Sequence, residues 1–306
     1  MAWRGGIAAS LLLLLGTQWS CRSGRQRDTD IVPDVMTAST HVDSGAVVVN
    51  GTHLFYEVAG SGSTVVLLHG GNLDRRMWDP QFLPLAREHR VIRYDLRGYG
   101  KSGPADVPFQ HHEDLRALLG ALGVRRASLV GLSGGGRIAI DFALTYPEMV
   151  DKLVLAAPGL SGWQSSKGDT AFYAEARRAR DRADTAGLGL AWLGSNYMRP
   201  AMEHPALVSQ LREMAADNGK NWMGLLRHGD LERAVDPVAL SRTTELRSPT
   251  LLVIGTRDVP DIQSIADTLS AHVRVLRRET FEGAGHMVNM EEPARFTSLT
   301  RSFLRP

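Results

Sequence analysis

The sequence predicts an α/β fold: a mostly parallel sheet of eight strands, covered by helices on both faces and interrupted by an all-helical insertion. Short apolar runs alternate with segments of helical periodicity from residue 64 onward. The alternation stops after about residue 158 and resumes at residue 250. Near the middle of the chain, a Gly-x-Ser-x-Gly pentapeptide at residues 131–135 joins an apolar run to a helical one.

The 306 residues suffice for one large domain or for a core with an insertion. Apolar residues at 43%, charged residues at 22% and a formal charge of +2 are those of an ordinary soluble domain and offer nothing to attract nucleic acid. There is no internal repeat or low-complexity run.

At the N-terminus, Arg4 precedes an apolar run over 7–16, followed by Thr17-Gln18-Trp19-Ser20 and Cys21, the layout of a secretory signal. The run is short for a bilayer span. A cysteine closing such a leader resembles a bacterial lipoprotein site, which implies cleavage before Cys21, lipidation there and membrane attachment of an exported protein. Gln18 and Trp19 depart from that pattern, which usually has Leu and a small residue. Ordinary export to the periplasm or outside, an uncleaved anchor and an incidental cysteine on a buried helix stand beside it. With no cysteine after Cys21, the exported domain has no internal disulfide. Residues 22–44 are polar and aperiodic, and read as a tether.

In chain order, residues 46–49 and 53–58 read as strands joined by Asn50-Gly51, a strong hairpin signal. Residues 65–68 form a buried strand that ends in His69-Gly70-Gly71-Asn72, and a helix follows through Trp78 and Leu85. A strand over 91–95 leads into the loop Arg97-Gly98-Tyr99-Gly100-Lys101-Ser102-Gly103, then a helix over 109–122 and a strand over 127–130. Helix 136–146 and strand 152–157 complete the first part of the core, 45–158. Residues 159–245 read as a helical lid holding Trp163, Trp192 and Trp222, three of the four tryptophans outside the leader. Strand 250–255, helix 261–271, strand 273–279 and helix 291–304 make the second part, 246–306.

A serine on a tight strand-to-helix turn is pushed out of the sheet with its hydroxyl exposed, and the flanking glycines avoid collisions with neighbouring backbone. Ser133 therefore reads as the nucleophile of an elbow. Its hydroxyl needs an imidazole to take its proton, and that imidazole needs an acid to fix its tautomer. Asp258 follows strand 250–255 directly, and His286 lies in Gly283-Ala284-Gly285-His286-Met287 after the last strand. Each of the three falls in a loop at the carboxyl end of a strand, where open α/β sheets bind ligands.

With His69-Gly70-Gly71, the run from Asp95 to Ser102, the elbow, and the pair Asp258 and His286 in the order Ser, Asp, His, the chain resembles a lidded α/β-hydrolase over residues 46–304. The sequences around the elbow and His286 look most like the branch of enol-lactonases, carboxylesterases and cofactor-free haloperoxidases. The resemblance implies the α/β-hydrolase fold and a two-step acyl transfer on a small-molecule ester or lactone, without metal or organic cofactor. It also implies an oxyanion hole made by the backbone N–H groups of Gly71 and Gly134, although the family often has a bulky residue at the second position. Asn72, Leu132 and Met287, adjoining these groups, and Trp163, Trp192 and Trp222 in the lid are the candidate substrate contacts.

Other readings of these segments are weaker. His69 adjoins the site, but in the resembling family it shapes the loop. Asp261 is the reserve acid. Gly98, Gly100 and Gly103 spell a dinucleotide-type pattern, but Pro104 follows and no helix opens there. Asp95 stands where a phosphate loop needs its first glycine. His111-His112-Glu113-Asp114 reads as a solvated helix face rather than a metal site, and Arg177, Arg178, Arg180 and Arg182 as another. Thioesterase, aminopeptidase, carbon–carbon hydrolase and perhydrolase activities share this triad, and a non-catalytic binding protein can share the fold.

Overall fold

The computed structural model describes residues 41–164, 170–228 and 231–305. The leader, Cys21 and the tether up to residue 40 lie outside the described residues. Eight strands form one sheet: β1 (Val42–Val49), β2 (Thr52–Ala59), β3 (Thr64–Leu68), β4 (Arg90–Tyr94), β5 (Ala127–Leu132), β6 (Val150–Ala156), β7 (Thr250–Gly255) and β8 (Leu276–Phe281). Their spatial order is β1-β2-β4-β3-β5-β6-β7-β8. The pairs β1–β2 and β2–β4 are antiparallel, and the rest are parallel. β1 starts inside the expected tether. Val42, Asp43 and Ser44 pair with Ala59, Val58 and Glu57 while staying exposed, so no apolar alternation marked them as strand.

The sheet is buried on both faces because its central strands carry apolar residues at successive positions, whose side chains alternate sides. Val65, Leu67, Val130, Val154, Leu251 and Val253 pack on one face against α1 (Asp79–Ala86) and α10 (Pro293–Leu304), through Phe82, Leu85 and Phe296. Val66, Leu68, Leu129, Leu155, Leu252 and Ile254 pack on the other. There they meet α2 (His111–Ala121), α3 (Gly134–Thr145) and α8 (Pro260–His272), through Leu115, Ile138, Phe142 and Ile265. The short helix α9 (Val288–Glu291) precedes α10.

The insertion comprises α4 (Thr170–Asp181), α5 (Thr185–Leu193), α6 (Arg199–Met202) and α7 (Pro205–His228). Its Phe172, Trp192, Leu211 and Met214 extend the first face's core. Asn218 on α7 pins it down. Its Nδ2 donates to Asp74 at 2.8 Å and its Oδ1 accepts the Gly100 N–H at 2.8 Å.

Both ends of the expected lid belong to the core instead. Leu160, Val235 and Ala239 are buried in the second face's cluster. Phe109 exchanges backbone hydrogen bonds with Leu231 and Arg233. These segments are aperiodic, so their pairing with distant loops left no local signature.

The expected solvated face at 111–114 is also corrected: His111, His112 and Asp114 are buried. Asp114 accepts two hydrogen bonds from the fully buried Arg97, both at 2.8 Å, and a third from Asn50 at 2.9 Å. A buried charge left alone is costly, so Asp114→Ala is predicted to lose about 3–5 kcal/mol of stability, measurable by urea unfolding. An unchanged midpoint would show that this pair contributes nothing net.

Candidate active site

The elbow begins at the last residue of β5. Ser133 takes φ 53° and ψ −116°, a backbone region that costs about 1–3 kcal/mol and is held only by its surroundings. Those surroundings are backbone. Ser133 donates its N–H to Ala156 O at 3.0 Å, and its carbonyl accepts the N–H of Gly159 at 2.9 Å and of Arg137 at 3.0 Å. The glycines are required by close approach: a Cβ on Gly131 would lie 2.4 Å from Gly135 O, and one on Gly135 would lie 2.1 Å from Leu68 O.

Helix α3 opens immediately after Ser133, so its first N–H groups have no partner within the helix and present partial positive charge there. The loop after β3 lies alongside. A Cβ built on Gly70 would fall 3.5 Å from Ser133 Cβ, and one on Gly134 would fall 3.5 Å from the Gly71 nitrogen. The two expected oxyanion donors are thus neighbours beside the serine. A side chain at Gly134 would rest on the Gly71 amide, so its absence widens this corner.

His69 is excluded as a base by its own bonds. Nδ1 donates to Gly70 O at 2.7 Å, and Nε2 accepts the Leu96 N–H at 2.9 Å. Both ring nitrogens are committed, and burial pushes the imidazole's pKa below its ordinary value.

Asp258 and His286 are brought together by loops from β7 and β8. Gly255 ends β7 with the Ala284 and Gly285 carbonyls 2.2 and 2.3 Å from where its Cβ would be, so no other residue permits this approach. His286 Nδ1 stands 3.0 Å from each carboxylate oxygen of Asp258. Both side chains are buried, 1% and 0% exposed. With Nδ1–H donated to the carboxylate, Nε2 is the basic nitrogen, and it is buried without a hydrogen-bond partner. Tyr197 from the insertion meets the His286 ring edge-on at 5.0 Å.

Glu291 was not singled out in the sequence. Its carboxylate accepts the N–H of Gly285 at 2.7 Å and of Met287 at 3.0 Å, gripping the backbone on either side of His286. Burial raises its pKa despite these two bonds. A glutamate closing the mostly apolar segment Met287-Val288-Asn289-Met290 was the available signal.

A cavity of about 440 Å³ contains Ser133. Of the expected substrate contacts, Asn72, Trp163, Trp192 and Trp222 line it, as does Asp261. Leu132 and Met287 do not: each is 1% exposed and packed in the core, Leu132 as the end of β5 and Met287 where Glu291 turns its backbone inward. The cavity also takes in Arg137 on α3 and Phe172 on α4, neither of which the sequence reading singled out.

Arg137 is already matched. Its guanidinium pairs with Glu232 and lies 3.6 Å from Asp141, which accepts the Ser161 hydroxyl at 2.6 Å. Burial pushes the Asp141 carboxyl up to about 6, and it pushes the nearby His111 down to about 4. Among the described residues, no cluster of His, Cys, Asp and Glu has the geometry to hold a metal ion.

This arrangement places a strained serine, neighbouring backbone donors and a carboxylate-bound imidazole around one end of the sheet. Residues 65–299 match the model of the α/β hydrolase family. The putative carbamate hydrolase RutD of Rhizobium rhizogenes is 28% identical over 276 residues, 82% of this chain and 98% of that protein. Mouse serine hydrolase BPHL is 28% identical over 282 residues, 89% of each. A thermophilic esterase from Thermogutta terrifontis superposes with a TM-score of 0.70 at 26% identity, covering 86% of this chain and 98% of its own. The family match over more than half of the chain, on an eight-stranded sheet of this topology, makes the protein a member of the α/β hydrolase family and a hydrolase.

Proposed function

We propose that the chain is a serine hydrolase of uncharged carboxylic esters or lactones, working through an acyl-enzyme with Ser133, His286 and Asp258 as its triad. The carrying observation is the state of His286: Nδ1 is held by Asp258, and Nε2 is buried and unbonded, beside a tyrosine that also lines the cavity of Ser133. Ser133 Oγ attacks the carbonyl carbon as its proton passes to His286 Nε2. The Gly71 and Gly134 N–H groups receive the oxyanion, each worth about 3 kcal/mol of transition-state stabilisation. The bond to the leaving oxygen then breaks as His286 returns the proton to it. Water, deprotonated by the same imidazole, releases the acid and regenerates Ser133. Asp258 orients the ring and stabilises its charged form.

The test is hydrolysis of a panel of p-nitrophenyl esters and lactones, run beside labelling with a serine-directed fluorophosphonate. Labelling of Ser133 with turnover of a subset is the expected result. Labelling without turnover places the substrate elsewhere among acyl compounds, such as thioesters or amides. Absence of both favours a binding protein on this fold. Export with Cys21 lipidated belongs to the same proposal, supported by the leader's charge and apolar run. Intact mass of membrane-extracted protein reads it out, and a mass without acyl chains ends it.

A further inference from the structure

We infer that Glu291 is the positioning residue of His286: its buried carboxylate fixes where the imidazole stands by holding the peptide groups on either side of it. This deepens the reading of His286 as the base of Ser133, and rests on it. Asp258 sets the tautomer and rotation of the ring through Nδ1. A bond to the ring alone leaves the backbone beneath it free to shift.

The loop that carries the ring is tied down in two halves. In the first, Gly283 donates its N–H to the Thr256 hydroxyl at 2.9 Å, and the Ala284 carbonyl accepts the Arg257 N–H at 2.9 Å. In the second, Gly285 and Met287 donate to different oxygens of Glu291, Oε2 at 2.7 Å and Oε1 at 3.0 Å. His286 stands between those two donors. The insertion closes on the same glycine, where a Cβ would fall 2.4 Å from Pro200 Cγ and 3.3 Å from Glu291 Oε1.

The carboxylate is costly where it stands. Its side chain is 0% exposed, and among the described residues its ion-pair partner is His204, 3.9 Å away and itself 42% exposed. Burial pushes the carboxyl above its ordinary range against the pull of the two N–H bonds. An apolar residue could close α9 here without that desolvation. What a carboxylate adds is two acceptor oxygens in one plane and no donor, so it takes one N–H on each oxygen at once. Such a bridge fixes the Cα of the residue between its two donors. The consequence is kinetic, since a reacting group misplaced by about 1 Å costs on the order of 10²-fold in rate.

Glu291→Gln is nearly isosteric but offers one acceptor and one donor, so one of the two grips is lost. On the best ester of the panel, kcat is expected to fall about 30-fold with KM changed by less than about twofold, and fluorophosphonate labelling of Ser133 to slow by a similar factor. The unfolding midpoint shows whether the variant is folded at the assay temperature. A second readout is the downfield proton resonance of the Nδ1–H held by Asp258, assigned by its loss in His286→Gln. It is expected to move upfield or broaden in Glu291→Gln, a response that lowered stability alone does not produce.

A native kcat, or a fall in kcat that tracks the unfolded fraction with the resonance unmoved, overturns the assignment. Should Glu291→Gln not fold, Glu291→Asp keeps the charge, is one methylene short of bridging both donors, and is expected to show the same split between kcat and KM. Failure of both variants to fold assigns the glutamate to stability alone and also overturns it. A resonance that responds to Glu291→Gln in a protein that neither hydrolyses the panel nor labels at Ser133 would end the reading of His286 as base and leave the positioning standing. Equal serine-dependent turnover in native and variant would do the reverse.

Discussion

On the proposed mechanism, Ser133→Ala is expected to lower ester hydrolysis by about 10⁶-fold, because removing the nucleophile of a triad leaves only the oxyanion hole and binding to act. The fold survives. Ser133 is held by backbone bonds to Ala156, Gly159 and Arg137, none of which involves its hydroxyl, and alanine also removes little volume. The measurement is kcat/KM on the best ester of the panel, with the unfolding midpoint as a control for structure. An unchanged midpoint with activity reduced to background is the expected pair of results. Retained turnover in a protein free of wild-type contamination would remove Ser133 from the mechanism.

The same mechanism makes Asp258→Asn the second large expected effect, a loss of about 10⁴-fold in kcat. The His286 Nδ1 proton is shared between two carboxylate oxygens at equal distance. An amide presents a donor to that nitrogen in place of one acceptor, which favours the tautomer with its proton on Nε2. An imidazole so protonated cannot accept the serine proton. The parallel Asp261→Asn variant separates the two acids. Asp261 opens α8 three residues on and lines the cavity, so its loss is expected to alter KM more than kcat. A larger fall in kcat for Asp261→Asn than for Asp258→Asn would exchange their roles.

Much of the candidate site could be read from the sequence because its parts are local. A strand-to-helix turn that exposes a serine needs glycines at fixed offsets, and those offsets can be read directly in Gly131, Gly134 and Gly135. Asp258 and His286 announce themselves as polar residues in the loops after apolar strands. By position His69 also adjoins the site, and only the resemblance assigned it to shaping the loop. Only its two ring bonds, one to Gly70 and one to Leu96, show why it serves the loop.

Other residues were misplaced because their surroundings come from far along the chain. Asp114 reads as surface until Arg97 and Asn50 are seen against it. Leu132 and Met287 adjoin site residues in sequence but point into the core, since neighbours on a strand or at a tight turn face opposite ways. Glu291 acts on the backbone around His286, a role that no side-chain pattern encodes.

By itself, then, the amino-acid order determined the sheet, the helical insertion and the Ser-Asp-His sequence of loops. These follow from apolar periodicity, glycine spacing and chain order, each set within a few residues. The tertiary structure alone decided where the insertion ends, which tryptophans reach the cavity, and that Arg137 is neutralised by Glu232 and Asp141. The reason is physical: burial of a polar group is tolerable only beside its partner, and partners such as Asp74 and Asn218 lie 144 residues apart.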